Sequence, residues 1–202
     1  ADHRVHGRCE VTQAEAVAAA IRDMGHDAVD LVSVMSHIPG KGQFGDTEAF
    51  KEYYRSSDRH TVEEAEQFIE NRTAMSMSEI RDRIDRVVAH AAEEGITVAS
   101  HDDEEPGEVV RLHERGVDIA EYPITLETAR RATELGMTTV MGAPNLVTGG
   151  SQWGNLTSMA AIEAGALDVI CADYHPPSLL AAPFVSTGEP LHERVARVTR
   201  NP

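Results

Sequence analysis

The sequence predicts an α/β protein whose strands run parallel, and three observations carry that prediction. Short apolar, β-branched runs recur along the 202 residues, segments of helical period lie between them, and a glycine follows most of those segments. Strand, helix, glycine, strand is the rhythm of βαβ units, whose buried strands read as continuous apolar stretches and whose helices close on a glycine. Doubly wound sheets and barrels both satisfy this rhythm, and periodicity does not separate them.

Strands are expected at residues 4–11, 29–35, 96–100, 117–121, 138–141 and 167–172. The first helix is expected over 14–24, opened by Thr12 with Glu15 at the capping-box spacing and closed by Gly25. Ser78 opens another, with Ile80, Ile84, Val87, Val88 and Ala91 on one face and Gly95 behind it. Shorter helices fit 107–115, 125–135 and 156–164, followed in turn by Gly116, Gly136 and Gly165, and a last one fits 191–199. Residues 38–77 interrupt the rhythm. They carry Ile38-Pro39-Gly40, an aromatic patch of Phe44, Phe50, Tyr53 and Tyr54, and a polar helix around 61–72. An insertion of that length in a βα connection either covers an active site or is a surface excursion. The whole of 1–202 reads as one domain.

Charge narrows the class of function. Asp and Glu number 34 against 18 Lys and Arg, giving a formal net charge of −16, and Lys41 and Lys51 are the only lysines. Such a field repels phosphate backbones and anionic lipid surfaces, which excludes nucleic acid and membrane as expected partners. An anionic substrate therefore needs a metal, an arginine or backbone N–H groups. An acidic surface poor in lysine suits a high-salt cytoplasm as well as an ordinary acidic soluble protein. No run of eighteen apolar residues and no signal peptide is visible, so the expected location is the cytoplasm. Cys9 and Cys171 sit in apolar runs and read as buried, unpaired thiols.

The chemistry collects where the strands end, because in parallel α/β proteins the C-terminal strand ends point into the site. The six expected strands end in Arg8-Cys9-Glu10, Ser36-His37, Ser100-His101-Asp102-Asp103, Glu121-Tyr122-Pro123, Gly142-Ala143-Pro144-Asn145 and Asp173-Tyr174-His175. Apolar strands need no such endings to fold, and buried carboxylates and imidazoles cost free energy unless paired or coordinated. Taken singly, each has an ordinary explanation: Glu10 and Glu121 as partners of arginines, Asp173 as a turn cap, His37 as a satisfied polar residue. Together, His, His, Glu and Asp make the donor set of a divalent metal, zinc or manganese, with an additional aspartate able to take a proton from an acidified water. His6 lies on the first strand and is able to point inward, while His26, His60, His90, His113 and His192 read as solvated. The Gly-rich stretch 142–155 has the polar side chains and N–H groups to hold phosphate before a helix, although it lacks the Gly-Lys-Ser/Thr of a P-loop.

These strings resemble the PhnM-type diphosphatases of phosphonate breakdown, a family within the amidohydrolase superfamily. The resemblance rests on Arg8-Cys9-Glu10, on Leu31 to His37 leading into Pro39-Gly40 and Gln43-Phe44, and on Tyr53-Tyr54. It rests further on Ser100-His101-Asp102-Asp103, on Gly142-Ala143-Pro144-Asn145 with Gly149-Gly150-Ser151 and Gly154-Asn155, and on Asp173-Tyr174-His175-Pro176. It implies a TIM-like (β/α)8 metal-dependent hydrolase barrel of which about the last six βα units are present, since no His-x-His or His-x-Asp strand precedes Ala1. It also implies release of pyrophosphate from α-D-ribose 1-methylphosphonate 5-triphosphate on the carbon–phosphorus lyase route. By the same resemblance Glu10, His37 and His101 are metal ligands, zinc before manganese, and Asp173 is the general base. Arg8, Gly142, Asn145, Gly149, Gly150, Ser151, Asn155 and His175 are candidates for the phosphorylated sugar, with Asp102 and Glu121 as further site candidates. A homo-oligomer is compatible with the sequence. Two other readings stay open: an amidohydrolase cleaving a C–N bond, such as a cyclic amidase or deaminase, and a non-catalytic barrel fragment.

Overall fold

The computed structural model describes residues 3–41, 47–55, 61–151 and 154–202. Contacts divide the chain into two compact units, Ala1–Val98 and Ala99–Pro202.

In the first unit β1 (Val5–Glu10) and β2 (Val29–Met35) pair in parallel, from His6 opposite Leu31 to Glu10 opposite Met35. The helices α1 (Ala14–Asp23) and α4 (Met77–Glu94) accompany them. α4 buries Ile80, Ile84, Val87, Val88 and Ala91, the stripe its sequence predicts, and each larger side chain so buried is worth about 1.5–3 kcal/mol. Its N-cap is Ser76 rather than Ser78: the Ser76 hydroxyl accepts from the Glu79 amide at 3.2 Å. Gly95 ends it with φ 71, a left-handed conformation that glycine adopts without Cβ strain.

The capping box expected at Thr12 does not form. Gln13 is the N-cap of α1 and makes no side-chain cap bond, while the Thr12 hydroxyl donates to Glu10 Oε1 at 2.6 Å. A reciprocal capping box does occur on α3 (Val62–Ala74), between Thr61 and Glu64. A further helix, α2 (Thr47–Arg55), carries Phe50, Tyr53 and Tyr54. Phe50 is fully buried against Ile69, with Phe68 packed beside them, so the 38–77 segment has a small core of its own. Gln43 and Phe44 lie outside the described residues, as do Gln152 and Trp153.

In the second unit β3 (Thr97–His101, from Ala99 on), β4 (Ile119–Glu121), β5 (Thr138–Gly142) and β6 (Val169–Cys171) pair in parallel and in chain order, as Ala99 with Ile119, Ile119 with Thr138 and Val140 with Val169 show. The connections are α5 (Pro106–Glu114), α6 (Leu126–Glu134), α7 (Ala143–Thr148) and α8 (Ser158–Glu163), and α9 (Pro176–Ala181) and α10 (Leu191–Thr199) follow β6. Thr125 and Thr157 cap α6 and α8 through their hydroxyls. Parallel neighbours in chain order suit the expected barrel, and this four-strand run shows no strand-order reversal.

One expectation is corrected here. Residues 143–148 form a helix and not an open phosphate loop. Pro144 sits in its first turn, where a fixed φ and a missing N–H cost nothing, and Ala143 and Leu146 join a core with Met141, Ala161, Ile162, Leu167, Ile170 and Ala182. None of the described helices is long and apolar enough to cross a membrane.

Candidate active-site residues

The first unit gathers a polar cluster at the end of β1. Glu10 Oε1 accepts from the Thr12 hydroxyl at 2.6 Å and from the His37 amide at 3.3 Å. Glu10 Oε2 lies 2.5 Å from His37 Nδ1 and 3.5 Å from an Arg72 guanidinium nitrogen. Arg72 comes from α3 and is 3% exposed. Its Nη1 donates to the His37 carbonyl at 3.0 Å, and its guanidinium carbon stands 3.8 Å over the Phe68 ring. Burial pushes the Glu10 carboxyl up, but the His37 hydrogen bond, the Arg72 and His37 charges and the Thr12 hydroxyl outweigh it and hold the group below the usual carboxylate range. An ionised carboxylate only accepts, so the facing Nδ1 carries a hydrogen, and in the neutral ring Nε2 keeps its lone pair. Arg8 is exposed and reaches Met35 Sδ at 3.5 Å. The Cys9 thiol is fully buried and pushed up to about 11, by burial first and the Glu10 charge second, which makes it inert. His6 Nε2 does meet the buried Ser33 hydroxyl, at 2.9 Å, though the residue is exposed.

The second unit arranges its candidates along consecutive strand ends. His101 closes β3 directly opposite Glu121, which closes β4 and is 8% exposed. Asp102 Oδ2 lies 3.0 Å from His101 Nδ1. The Tyr122 ring stands 5.1 Å from that of His101, and its hydroxyl meets Cys171 Sγ at 2.9 Å. Burial above all, and then the Cys171 contact and the Asp173 and Glu121 charges, drive the Tyr122 hydroxyl far up and keep it neutral. Cys171 is half-buried, less enclosed than its apolar run suggests, and burial raises its thiol too. Asp103 is 7% exposed and takes a short hydrogen bond from the Ser100 hydroxyl; burial still lifts its carboxyl to about 6 against that bond.

Among the described residues of this unit, three that are not glycine have positive φ, Asp102 at 58, Tyr122 at 54 and Asp173 at 53. Each comes just after a strand. Asp102 and Tyr122 still donate their amides onward, to the Glu121 and Val140 carbonyls. Such conformations cost of order 1–3 kcal/mol each and persist where surrounding structure enforces them, commonly at functional sites. Asp173 is exposed, and its carboxylate lies over Gly142: a Cβ there would stand 2.7 Å from Asp173 Oδ2, so only glycine admits this placement.

The candidates after β5 divide. The Asn145 side-chain amide donates to the Leu156 carbonyl at 3.2 Å and its Oδ1 accepts from the Ser158 amide at 2.8 Å, which ties α7 to the start of α8. The Gly149 and Gly150 amides both donate to the Asn145 carbonyl, so these two N–H groups, expected to hold phosphate, are used in the turn that ends α7. Ser151 and Asn155 are half-buried beside it. His175 is the N-cap of α9, is exposed, and its Nδ1 meets the Ser178 hydroxyl at 2.7 Å. His113 is not solvated as expected, since its Nδ1 is sealed from water.

Sequence reasoning passed over Arg72, and gave Thr12, Asp103 and Tyr122 no role in the site. A signal existed for the first: Arg72 is the sole basic residue of α3 and follows Phe68 by four, the spacing that stacks one helical side chain on another.

The chain is 35% identical to the α-D-ribose 1-methylphosphonate 5-triphosphate diphosphatase of Escherichia coli (strain K12), over 207 aligned residues that take in all of this chain and 55% of that enzyme. It thus spans about half the length of the curated relative it matches. No family model matches. Among solved structures it is similar to the native KDPGal structure (TM-score 0.42, 16% identity, 87% of this chain and 64% of that one). It is also similar to A. niger ochratoxinase (TM-score 0.42, 14% identity, 93% and 64%). Likenesses at that level carry no argument about the fold. The sequence relationship does carry one, and along its whole length this chain is a relative of the E. coli ribose methylphosphonate triphosphate diphosphatase, the group its strand-end motifs resemble.

Proposed function

We propose that the chain carries much of the active site of a divalent-metal hydrolase of the amidohydrolase type, which releases pyrophosphate from α-D-ribose 1-methylphosphonate 5-triphosphate. The observation that supports this reading most is the 35% identity across all of the chain to the E. coli diphosphatase. The proposed scaffold is a (β/α)8 barrel.

The residues fit a divalent cation. His37 turns Nδ1 towards the Glu10 carboxylate, the carboxylate–histidine arrangement that orients Nε2 as a ligand, and His101, whose Nδ1 stands 3.0 Å from Asp102 Oδ2, is proposed as a second ligand. Glu10 is proposed in two capacities, because a carboxylate has about four lone-pair sites and the group that holds His37 can also face an ion. Zinc is the first expectation and manganese the second. Such an ion, when bound, supplies positive charge to phosphate oxygens and acidifies a water.

The chain's own residues do the rest. Asp173 takes the proton of the attacking water at its carboxylate. As the water oxygen bonds to the α-phosphorus, the bond to the bridging oxygen breaks and pyrophosphate leaves, regaining a proton. Gly142 gives Asp173 room. Arg8, Ser151, Asn155 and His175 are proposed to meet the substrate, while Asn145, Gly149 and Gly150 shape the turn instead.

The test is metal content together with pyrophosphate release from a ribose 5-triphosphate analogue by the full chain. Metal with pyrophosphate release supports the proposal. Metal without it moves the substrate to a C–N bond, and no metal ends the reading.

A further inference from the structure

We propose that Arg72 is a positioning residue for His37, which makes the 38–77 excursion part of the framework of the site and not a surface ornament. This rests on the reading of His37 as a metal ligand.

Arg72 acts on His37 by two routes. Its Nη1 donates to the His37 carbonyl at 3.0 Å and fixes the backbone that carries the ring. Its other arm stands 3.5 Å from Glu10 Oε2, the oxygen that holds His37 Nδ1 at 2.5 Å. One guanidinium therefore ties the backbone of His37 to the carboxylate behind its ring. The planar fork suits this double task, and the face of Phe68, 3.8 Å away, keeps the fork in plane. An arginine 3% exposed is costly to bury, and its ion pair with Glu10 offsets that cost. The helix that delivers it has its own support: the Thr61–Glu64 capping box at its start and the Phe50–Ile69 core under it. A decorative excursion would need neither a buried cation nor a reach into the end of β2.

The experiment uses the full chain with Arg72→Met, Arg72→Lys and, as a control on the exposed face of the same helix, Asn71→Ala. Two quantities are measured: affinity for Zn²⁺ alone by calorimetry, and the ring ¹⁵N signals of His37 in the metal-free protein, assigned with His37→Gln. Arg72→Met is expected to weaken zinc binding about 10–100-fold and to replace the single Nδ1–H tautomer of His37 by a mixture. Arg72→Lys keeps the charge but neither fork nor stack, and is expected to recover only part of both. Asn71→Ala is expected to match the wild type. A folded Arg72→Met variant with wild-type affinity and wild-type His37 signals overturns the proposal, even if its melting temperature drops. Should Arg72→Met not fold, Arg72→Lys decides by the same two readouts, wild-type values overturning the proposal. If the wild type binds no zinc, the functional reading falls, and the His37 tautomer alone still decides whether Arg72 positions the ring.

Discussion

Two carboxylates sit beside strand-end histidines, one in each unit, Glu10 partly and Asp103 almost wholly buried, and they are tuned in opposite directions. Glu10 is held low because Arg72, His37 and Thr12 all favour its charge. Asp103 is pushed up to about 6 because burial, helped by the Glu108 and Asp102 charges, outweighs the Ser100 hydroxyl and the His101 charge. Burial is common to both, so it is the partner that decides the direction. The first unit imports its cation from an excursion between strand and helix. The second relies on its strand ends, with left-handed backbone at Asp102, Tyr122 and Asp173. One unit is organised by charge and the other by backbone shape.

That contrast is tested most directly at Asp173. If proton transfer belongs to the second unit, Asp173→Asn in the full chain lowers kcat roughly 10²–10⁴-fold with bound metal unchanged. Near-normal turnover would remove the role. Gly142→Ala sharpens the claim about shape: a methyl 2.7 Å from Asp173 Oδ2 displaces the carboxylate, and a displacement near 1 Å costs about 10²-fold in kcat, read from steady-state kinetics.

The two acids give the next effect. Asp103 titrates near 6 in the folded chain against an ordinary 3.8, so folding holds its proton more tightly. Its contribution is fully present below pH 3.8 and is lost as pH rises to about 6, by at most about 3 kcal/mol. Denaturation of the metal-free protein from pH 4 to 7 should show this fall in the wild type and not in Asp103→Asn. Glu10 runs the other way, since its folded value lies below the ordinary 4.5. Stability from this group is present above that pH and lost as pH falls through the lowered value, and Glu10→Gln should remove the loss. The smallest effect is at Thr12. Thr12→Val deletes one hydrogen bond to Glu10 and should lower stability by about 1 kcal/mol at pH 7, with helix content by circular dichroism unchanged because Gln13, not Thr12, is the N-cap of α1. A loss of helix would restore Thr12 as a cap.

The strands and most helix ends were legible in the sequence, since burial on both faces leaves continuous apolar runs and a left-handed helix end leaves a glycine such as Gly95. What composition hid was local competition. Thr12 and Glu15 have the spacing of a capping box, yet Glu10, two residues upstream, takes the hydroxyl. Residues 143–148 look like a loop for their Gly, Pro and Asn, yet Pro144 starts a helix as readily as it ends one. α2 could have been found, because Phe50, Tyr53 and Tyr54 keep helical spacing. The strand-end residues were legible one by one. The partner of Glu10 was not, because Arg72 reaches it from a different segment 62 positions on, a separation no local pattern encodes.

The left-handed strand ends have a consequence for how such a chain changes under selection. Asp173 is exposed, so replacing it by glycine relieves backbone strain with little packing lost, and a library screened for heat resistance would return glycine there. A library screened for turnover would refuse it at Asp173. That one codon thus registers whether a lineage is being kept for its durability or for its chemistry, and a homologue with glycine in place of Asp173 is expected to have retired from catalysis while keeping its fold.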